Sequence, residues 1–273
     1  MAINFDVVID TDDDSVDMKS GLDTLQGVSD ATRYIAETIL CERVPERQSH
    51  KAKVRTMLKQ SFKGSYGQKF SVEVFDERLQ SRLRRIGNAT FVELVAYYLN
   101  DAMYKDVREL SAKAKSVVDG LGECSDELAE QLRVSSLRNI HDVTLKFNHD
   151  VKIRYRKNRE EQIVLAKFDQ DTAGILEVVH SNEVVTIDAA VTRFNTRTGN
   201  GRLQLKGEDE TVAFGFDREY RSLEISAKRI FSENLHFNNG KPIDHCAFLN
   251  LQTSTLRLHN GKIVKYVIKG YGV

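Results

Sequence analysis

From Glu183 onward the chain reads as five short strand-like runs with one helical stretch among them, and nothing else in the sequence limits the fold so tightly. Val184 to Phe194 predicts a first strand, Arg202 to Leu205 a second and Thr211 to Phe216 a third, the last two joined across Lys206-Gly-Glu-Asp-Glu. Leu223, Ile225, Ile230, Phe231 and Leu235 then place apolar side chains along a helix from Ser222 to Leu235. Ala247 to Leu258 and Lys262 to Ile268 predict two more strands that meet at Asn260-Gly261. Asn-Gly between apolar strands is the strongest short-range hairpin signal, because both turn positions need a positive φ. Three strands, a helix and two strands suit a small barrel, expected over residues 182–273.

Residues 1–175 predict an α+β domain. Ile3-Asn-Phe5-Asp-Val7-Val-Ile9 reads as a strand. Helical packing is expected from Gly21, with Ser29-Asp30 as a cap and Pro45 as the stop. Val54 to Phe62 fits helix or strand, whereas Lys69 to Phe75 alternates as a half-buried strand. Thr90 is expected to cap a helix through Leu99, and further helices are expected from Val107 to Val118 and from Ser125 to Ile140. Val151, Ile153 and Tyr155 then alternate with Lys152, Arg154 and Arg156, and Lys157-Asn-Arg159 turns the chain towards a second arm from Gln162 to Phe168. Asp169 to Gly174 reads as a loop near the boundary.

Net charge is zero but unevenly spread. Residues 1–42 hold ten acidic and two basic side chains, and residues 43–85 hold twelve basic and four acidic. Blocks of this kind can neutralise one another within a fold, and a basic patch left uncovered would attract a polyanion. The N-terminus lacks the basic start and apolar stretch of a secretory signal. The dispersed Cys41, Cys124 and Cys246 suit reduced thiols, read as small core residues of a cytoplasmic protein.

Three resemblances follow from these residues. The order three strands, helix, two strands resembles an OB-fold barrel, a fold that binds oligonucleotides or oligosaccharides on one face; an SH3-like barrel is the alternative. Within it, Phe194-Asn195, three residues, then Gly199-Asn-Gly201 on a strand-turn-strand resembles the first hairpin of cold-shock domains. That resemblance implies base stacking by strand aromatics. Asn200 and Arg202 depart from the pattern, while Phe214 and Phe216 keep ring character in the third strand. The whole chain loosely resembles uncharacterised bacterial proteins that pair an α+β domain, with a turn like Ser61 to Ser65, and a small barrel. Some of those stand near mobile-element or anti-phage genes, which implies an accessory role in such a system.

Three sets of residues are candidates for chemistry. Asp10, Asp12 and Asp14, with Asp13 between them, follow an apolar strand and could hold Mg²⁺; a solvated acidic loop is the competing reading. Asp142, Asp150 and Lys152 fit a metal-dependent nuclease, as do Asp17 and Lys19 as a shorter match. Lys152, Arg154 and Arg156, with Arg193, Arg197 and Arg202 in the barrel, would contact phosphates. Arg82, Arg84 and Arg85 form another basic cluster. The competing reading for these cations is that they balance the acidic N-terminal block. No two histidines stand at metal-ligand spacing, and no phosphate-binding glycine loop is present.

The sequence thus favours a binding or scaffold protein over an enzyme, with nucleic acid or a protein as partner, a homo-oligomer as one form of the latter, no membrane and no cofactor. Its nucleic-acid candidates are Lys152, Arg154, Arg156, Arg193, Arg197, Arg202, Phe214 and Phe216, and a metal-dependent nuclease is the alternative.

Overall fold

A computed structural model describes residues 1–12, 14–47, 49, 51–62, 66–107, 109–158 and 160–272. The protein is α+β and divides into two compact units, Met1–Leu176 and Glu177–Val273. Among the described residues, no helix is long and apolar enough to cross a membrane.

The first unit runs β1 (Ala2–Ile9), α1 (Met18–Cys41), β2 (Val54–Phe62), β3 (Tyr66–Val74), α2 (Glu77–Ile86), α3 (Asn88–Ala102), α4 (Ala112–Leu121) and α5 (Glu123–Gln131). A π-helical turn, Leu132–Ser136, leads to α6 (Leu137–Ile140), α7 (Asp142–Phe147), β4 (Val151–Arg156), β5 (Gln162–Phe168) and α8 (Gln170–Ala173). The five strands lie in the order β2-β3-β1-β4-β5, each antiparallel to its neighbours. Ile3, Phe5, Val7 and Ile9 bury one face of β1 at the period of two that a strand imposes. Phe70 and Val72 of β3 and Val151 and Ile153 of β4 continue that face in register. With Ile35 and Ile39 of α1 and Phe91, Leu94 and Tyr98 of α3 they form the main core.

Several boundaries differ from the sequence expectation, each for a local reason. Helix α1 starts at Met18, because the Asp17 side chain accepts from the Ser20 backbone N–H at 2.9 Å. Ser29 lies inside the helix and hydrogen-bonds Thr56 of β2 instead of capping. The helix stops at a left-handed Glu42 (φ 54°), before Pro45. Gly27 lets α6 approach α1 closely: a Cβ there would lie 2.6 Å from the Ile140 backbone nitrogen. Helix α2, unforeseen, is capped by Asp76, which accepts from the backbone of Arg78 and Leu79. Helix α3 begins at Asn88 after Gly87 (φ 85°), so Thr90 is within it. Helix α4 begins after Ser111, which accepts from Ala114 N–H, so Val107, Glu109 and Leu110 precede it and Arg108 lies outside the described residues. Val54 to Phe62 is a strand, and β4 and β5 form the expected hairpin. Asp169 and Thr172 form a capping box that turns the expected loop into α8. Lys63 to Ser65 of the Ser61 to Ser65 turn, Arg159 and Asp13 lie outside the described residues.

The second unit runs β6 (Val179–Phe194), β7 (Gly201–Leu205), β8 (Thr211–Phe216), α9 (Ile225–Asn238), β9 (Leu249–Arg257) and β10 (Ile263–Tyr271). Its strands close into a barrel, β6-β7-β8-β10-β9 and back to β6. Only β8 and β10 pair in parallel. β6 is long enough to serve two partners: Val179 to Ala189 pairs with β9, and Ala189 to Phe194 with β7. The chain turns from β9 into β10 at the expected Asn260-Gly261, but of the pair only Gly261 (φ 86°) has a positive φ. Phe231 of α9 is fully buried among the rings of Phe194, Phe214, Phe216 and Tyr271. Asn234 of α9 accepts from the Val191 N–H at 2.8 Å and donates to the Ala247 carbonyl at 2.9 Å, tying the helix to β6 and to the segment before β9. A 3-10 turn, Ile243–His245, closed by Cys246, precedes β9.

The cysteines are free thiols and none is buried: Cys41 ends α1 exposed, and Cys124 and Cys246 are half-buried. Cys41 and Cys246 are not core residues, and Cys124 packs only at the edge of the main core.

Candidate functional site

The face of the first sheet opposite its core is built from the other set of alternating positions. In register it carries Asn4, Asp6 and Val8 of β1, Gly67, Lys69, Ser71 and Glu73 of β3, and Lys152, Arg154 and Arg156 of β4. Arg55 and Phe62 of β2 stand on it opposite Glu73 and Gly67. Met57 and Val164, exposed on the two edge strands, mark this face as reached by solvent.

Asp6 organises its centre. The residue is fully buried, and burying a carboxylate is costly unless it is paired and hydrogen-bonded. Arg154, its register partner, donates from Nε to Oδ1 at 2.6 Å, and Arg156 donates from a terminal nitrogen to Oδ2 at 3.1 Å. Each guanidinium has further N–H groups beyond the one this pairing uses. Lys69 stands opposite Asp6 on the other side of β1 and makes no ion pair among the described residues. Phe62 packs against Gly67, where a Cβ would fall 2.4 Å from two ring carbons. Around that ring lie Arg156 at 5.6 Å and Arg154 and Lys69 at 5.8 Å from its centroid.

The flanks are nearer neutral. Lys152 pairs with Asp10 at 2.6 Å. Lys59 pairs with Glu73, and this hydrogen bond together with that from Ser71 holds the Glu73 carboxyl below its ordinary range. At the Val54 end of β2, Arg55 lies 3.9 Å over the Phe75 ring and lines a shallow pocket with Lys51, Lys53 and Asp76. The Nε of Arg55 is buried and has no hydrogen-bond partner among the described residues.

Of the acidic N-terminal block, Asp6 and Asp10 are met by β4, where they pair with Arg154, Arg156 and Lys152. Glu42 pairs with Arg82, whose hydrogen bond lowers the Glu42 pKa. Arg84 and Arg85 are exposed in the last turn of α2, where cations suit the helix dipole.

The nuclease candidates Asp142, Asp150 and Lys152 each have their own ion-pair partner, and the backbone N–H of Asp10 donates to the Asp150 carbonyl at 2.8 Å. Asp142 pairs with Lys146, Asp150 with Lys167, and Lys152 with Asp10. Hydrogen bonds that Lys167 donates to Asp150 and then Asp169 hold it above the usual lysine range. Asp12 and Asp14 are exposed, and among the described residues no three His, Cys, Asp or Glu side chains converge as a metal site.

In the barrel the expected binding side chains are mostly turned inward or occupied. Arg202 is only 3% exposed and donates to the Thr211 side chain and carbonyl, both at 2.6 Å. Phe214 is a core residue, and Phe216 is half-buried against Tyr220 and Phe231. Arg193 is half-buried and Arg197 is exposed on the β6–β7 turn. Asn200 approaches Lys265 at 3.4 Å.

Asp6, Phe62 and Lys69 are the residues of this face that the sequence reading passed over. Asp6 carries a signal, an acid inside an otherwise apolar strand; Phe62 and Lys69 become significant only through the pairing of β2 and β3.

Fold and face together define an α+β chain with a closed barrel in one unit and a cation-lined sheet face in the other. Comparison with protein-family models, with curated proteins and with solved structures gives no match.

Proposed function

We propose that the protein is a non-catalytic nucleic-acid-binding protein whose contact surface is the open face of its N-terminal sheet. The observation that carries this reading is the group of Lys69, Arg154 and Arg156 around Phe62, with Asp6 as the one carboxylate beneath them. Three cations against one acid leave a positive surface, and the buried carboxylate holds both guanidinium groups in place. Arginine presented in this way suits phosphate, which it can grip through two parallel hydrogen bonds. The barrel supports the reading more weakly. Its strand order, with the helix between the third and fourth strands, fits an OB-like barrel, a fold used for oligonucleotides. Its interior rings and the internally bonded Arg202 make it the lesser contributor, with Arg197 and Lys265 as its phosphate candidates.

Filter binding of the full chain to single- and double-stranded DNA and RNA over a salt series tests the proposal. Binding should weaken steeply as salt rises, because each neutralised phosphate releases counterions. Lys69→Glu, which breaks no ion pair among the described residues, should weaken binding and flatten the salt dependence. Absence of binding even at low salt overturns the proposal.

A further inference from the structure

We infer that Phe62 is a stacking platform for an unpaired base, so that the open sheet face takes single-stranded nucleic acid in preference to duplex; this rests on the nucleic-acid reading above. Phe62 is the last residue of β2, half-buried on the charged face of the sheet rather than in the core. The ring is only half-covered, so part of its surface stays open to a flat apolar group. Its seat is built for it. Gly67 is the register partner of Phe62, and any larger residue there would meet the ring at 2.4 Å, so the glycine lets the ring settle against the backbone of β3.

The surrounding charges supply the second half of the site. Arg154, Arg156 and Lys69 all lie within 6 Å of the ring centroid, close enough to attract its π face and to meet the phosphates beside a stacked base. Asp6 fixes the two arginines through one hydrogen bond to each, so the cations are held beside the ring before ligand arrives. Cations alone would accept either form of nucleic acid. The ring discriminates, because a duplex keeps its base faces stacked inside and a single strand offers them.

The full chain is titrated into fluorescein-labelled oligo(dT), oligo(U) and a duplex of equal length, and anisotropy is followed at several salt concentrations. The expected result is single-strand affinity about tenfold or more above duplex affinity at the same salt. Phe62→Leu, which keeps apolar bulk, should lose about tenfold for the single strand and leave the duplex unchanged, and Phe62→Trp should restore it. Equal affinity for both forms, or no effect of Phe62→Leu, overturns the stacking role while salt-sensitive binding leaves the wider reading standing. No binding of any probe overturns both. Should Phe62→Leu lose its far-UV circular dichroism, photo-crosslinking of the unaltered chain to bromouracil-substituted single strand decides. A crosslink mapped to Phe62 or its sheet neighbours supports the site, and crosslinks confined elsewhere overturn it.

Discussion

Asp6 and Arg154 face each other across the antiparallel register of β1 and β4, and the fully buried carboxylate of the first is held by the guanidinium of the second at 2.6 Å. The pair explains how a strand can keep an acid at its centre. It also explains why β4 alternates apolar and basic residues, with Val151 and Ile153 entering the core while Lys152, Arg154 and Arg156 reach back over β1.

Removing that carboxylate should be costly. Breaking a fully buried ion pair costs about 3–5 kcal/mol, but Arg154 and Arg156 are partly exposed, and solvent relieves much of the charge they would be left with. Asp6→Ala is therefore expected to destabilise the first unit by about 2 kcal/mol, and Asp6→Asn by less. Urea unfolding followed by helical circular dichroism measures this, since most of the helix lies in Met1–Leu176. Under the proposed function, Asp6→Asn at a temperature where it stays folded also adds net positive charge, so its nucleic-acid binding should become more salt-sensitive.

Phe231 holds the second unit through four rings. Phe231→Ala removes a fully buried aromatic, and such truncations cost about 3–5 kcal/mol. Hydrogen exchange read by mass spectrometry should show faster exchange across Glu177–Val273 with little change in Met1–Leu176. Uniform protection in both units would contradict the central place given to this ring.

Gly201→Ala tests why the Gly199-Asn-Gly201 turn has glycine. A Cβ at Gly201 would lie 2.1 Å from the Arg193 carbonyl oxygen and 2.5 Å from the Phe214 ring. Backbone on one side and core on the other leave no room to yield, so the β6–β7 pairing should open and the barrel should lose several kcal/mol. Gly207→Ala is a useful control, since nothing lies near its Cβ direction and its positive φ (88°) alone should cost about 1 kcal/mol. Thermal unfolding of the two variants compares them directly. Both turn glycines answer to structure: Gly199 has φ 77° over Tyr220, and Gly201 marks a close approach.

Local signals, hairpins included, were legible and pairings between distant strands were not. The period of two in Val151 to Tyr155, the Asn260-Gly261 turn and the limits of Thr211 to Phe216 all survive in the structure, because each depends on neighbours within a few residues. Helix starts were misplaced where several polar residues competed to cap, as with Asp17 against Ser29-Asp30. The inward turn of Phe214 and the burial of Arg202 depend on which face of each strand closes the barrel, a matter of register across β7 and β8. Phe62 over Gly67 depends on the pairing of β2 with β3 after the bulge at Leu58 to Gln60. The cations of β4 could be read as a row, but their shared partner Asp6, nearly 150 residues away in sequence, could not.

His141 gives the first unit a pH dependence whose direction can be worked out. The side chain is fully buried, its Nδ1 donating to the Leu137 carbonyl at 2.7 Å and its Nε2 accepting from the Thr172 hydroxyl at 2.9 Å, with the Phe168 ring edge-on at 5.4 Å. Burial lowers its pKa to about 4, against the opposing pull of the Leu137 carbonyl and of Asp169, and with a smaller push from Lys105 in the same sense as burial. The unfolded chain, with an ordinary histidine, takes up this proton first as pH falls. The contribution of neutral His141 is therefore fully present above pH of about 6.5, is lost progressively down to about 4, and changes little below that. A shift of this size corresponds to about 3 kcal/mol across the window. Asp142 and Asp169 stabilise the fold while ionised and lose that contribution at still lower pH: burial works against their ionisation, but Lys146 holds Asp142, and the Thr172 N–H and Lys167 hold Asp169, below the usual carboxylate range. Urea midpoints of the unaltered chain and of His141→Gln, measured from pH 7.5 to pH 4.5, should diverge at the upper end and converge at the lower. Parallel curves would mean that His141 takes up its proton in the fold as readily as in the unfolded chain.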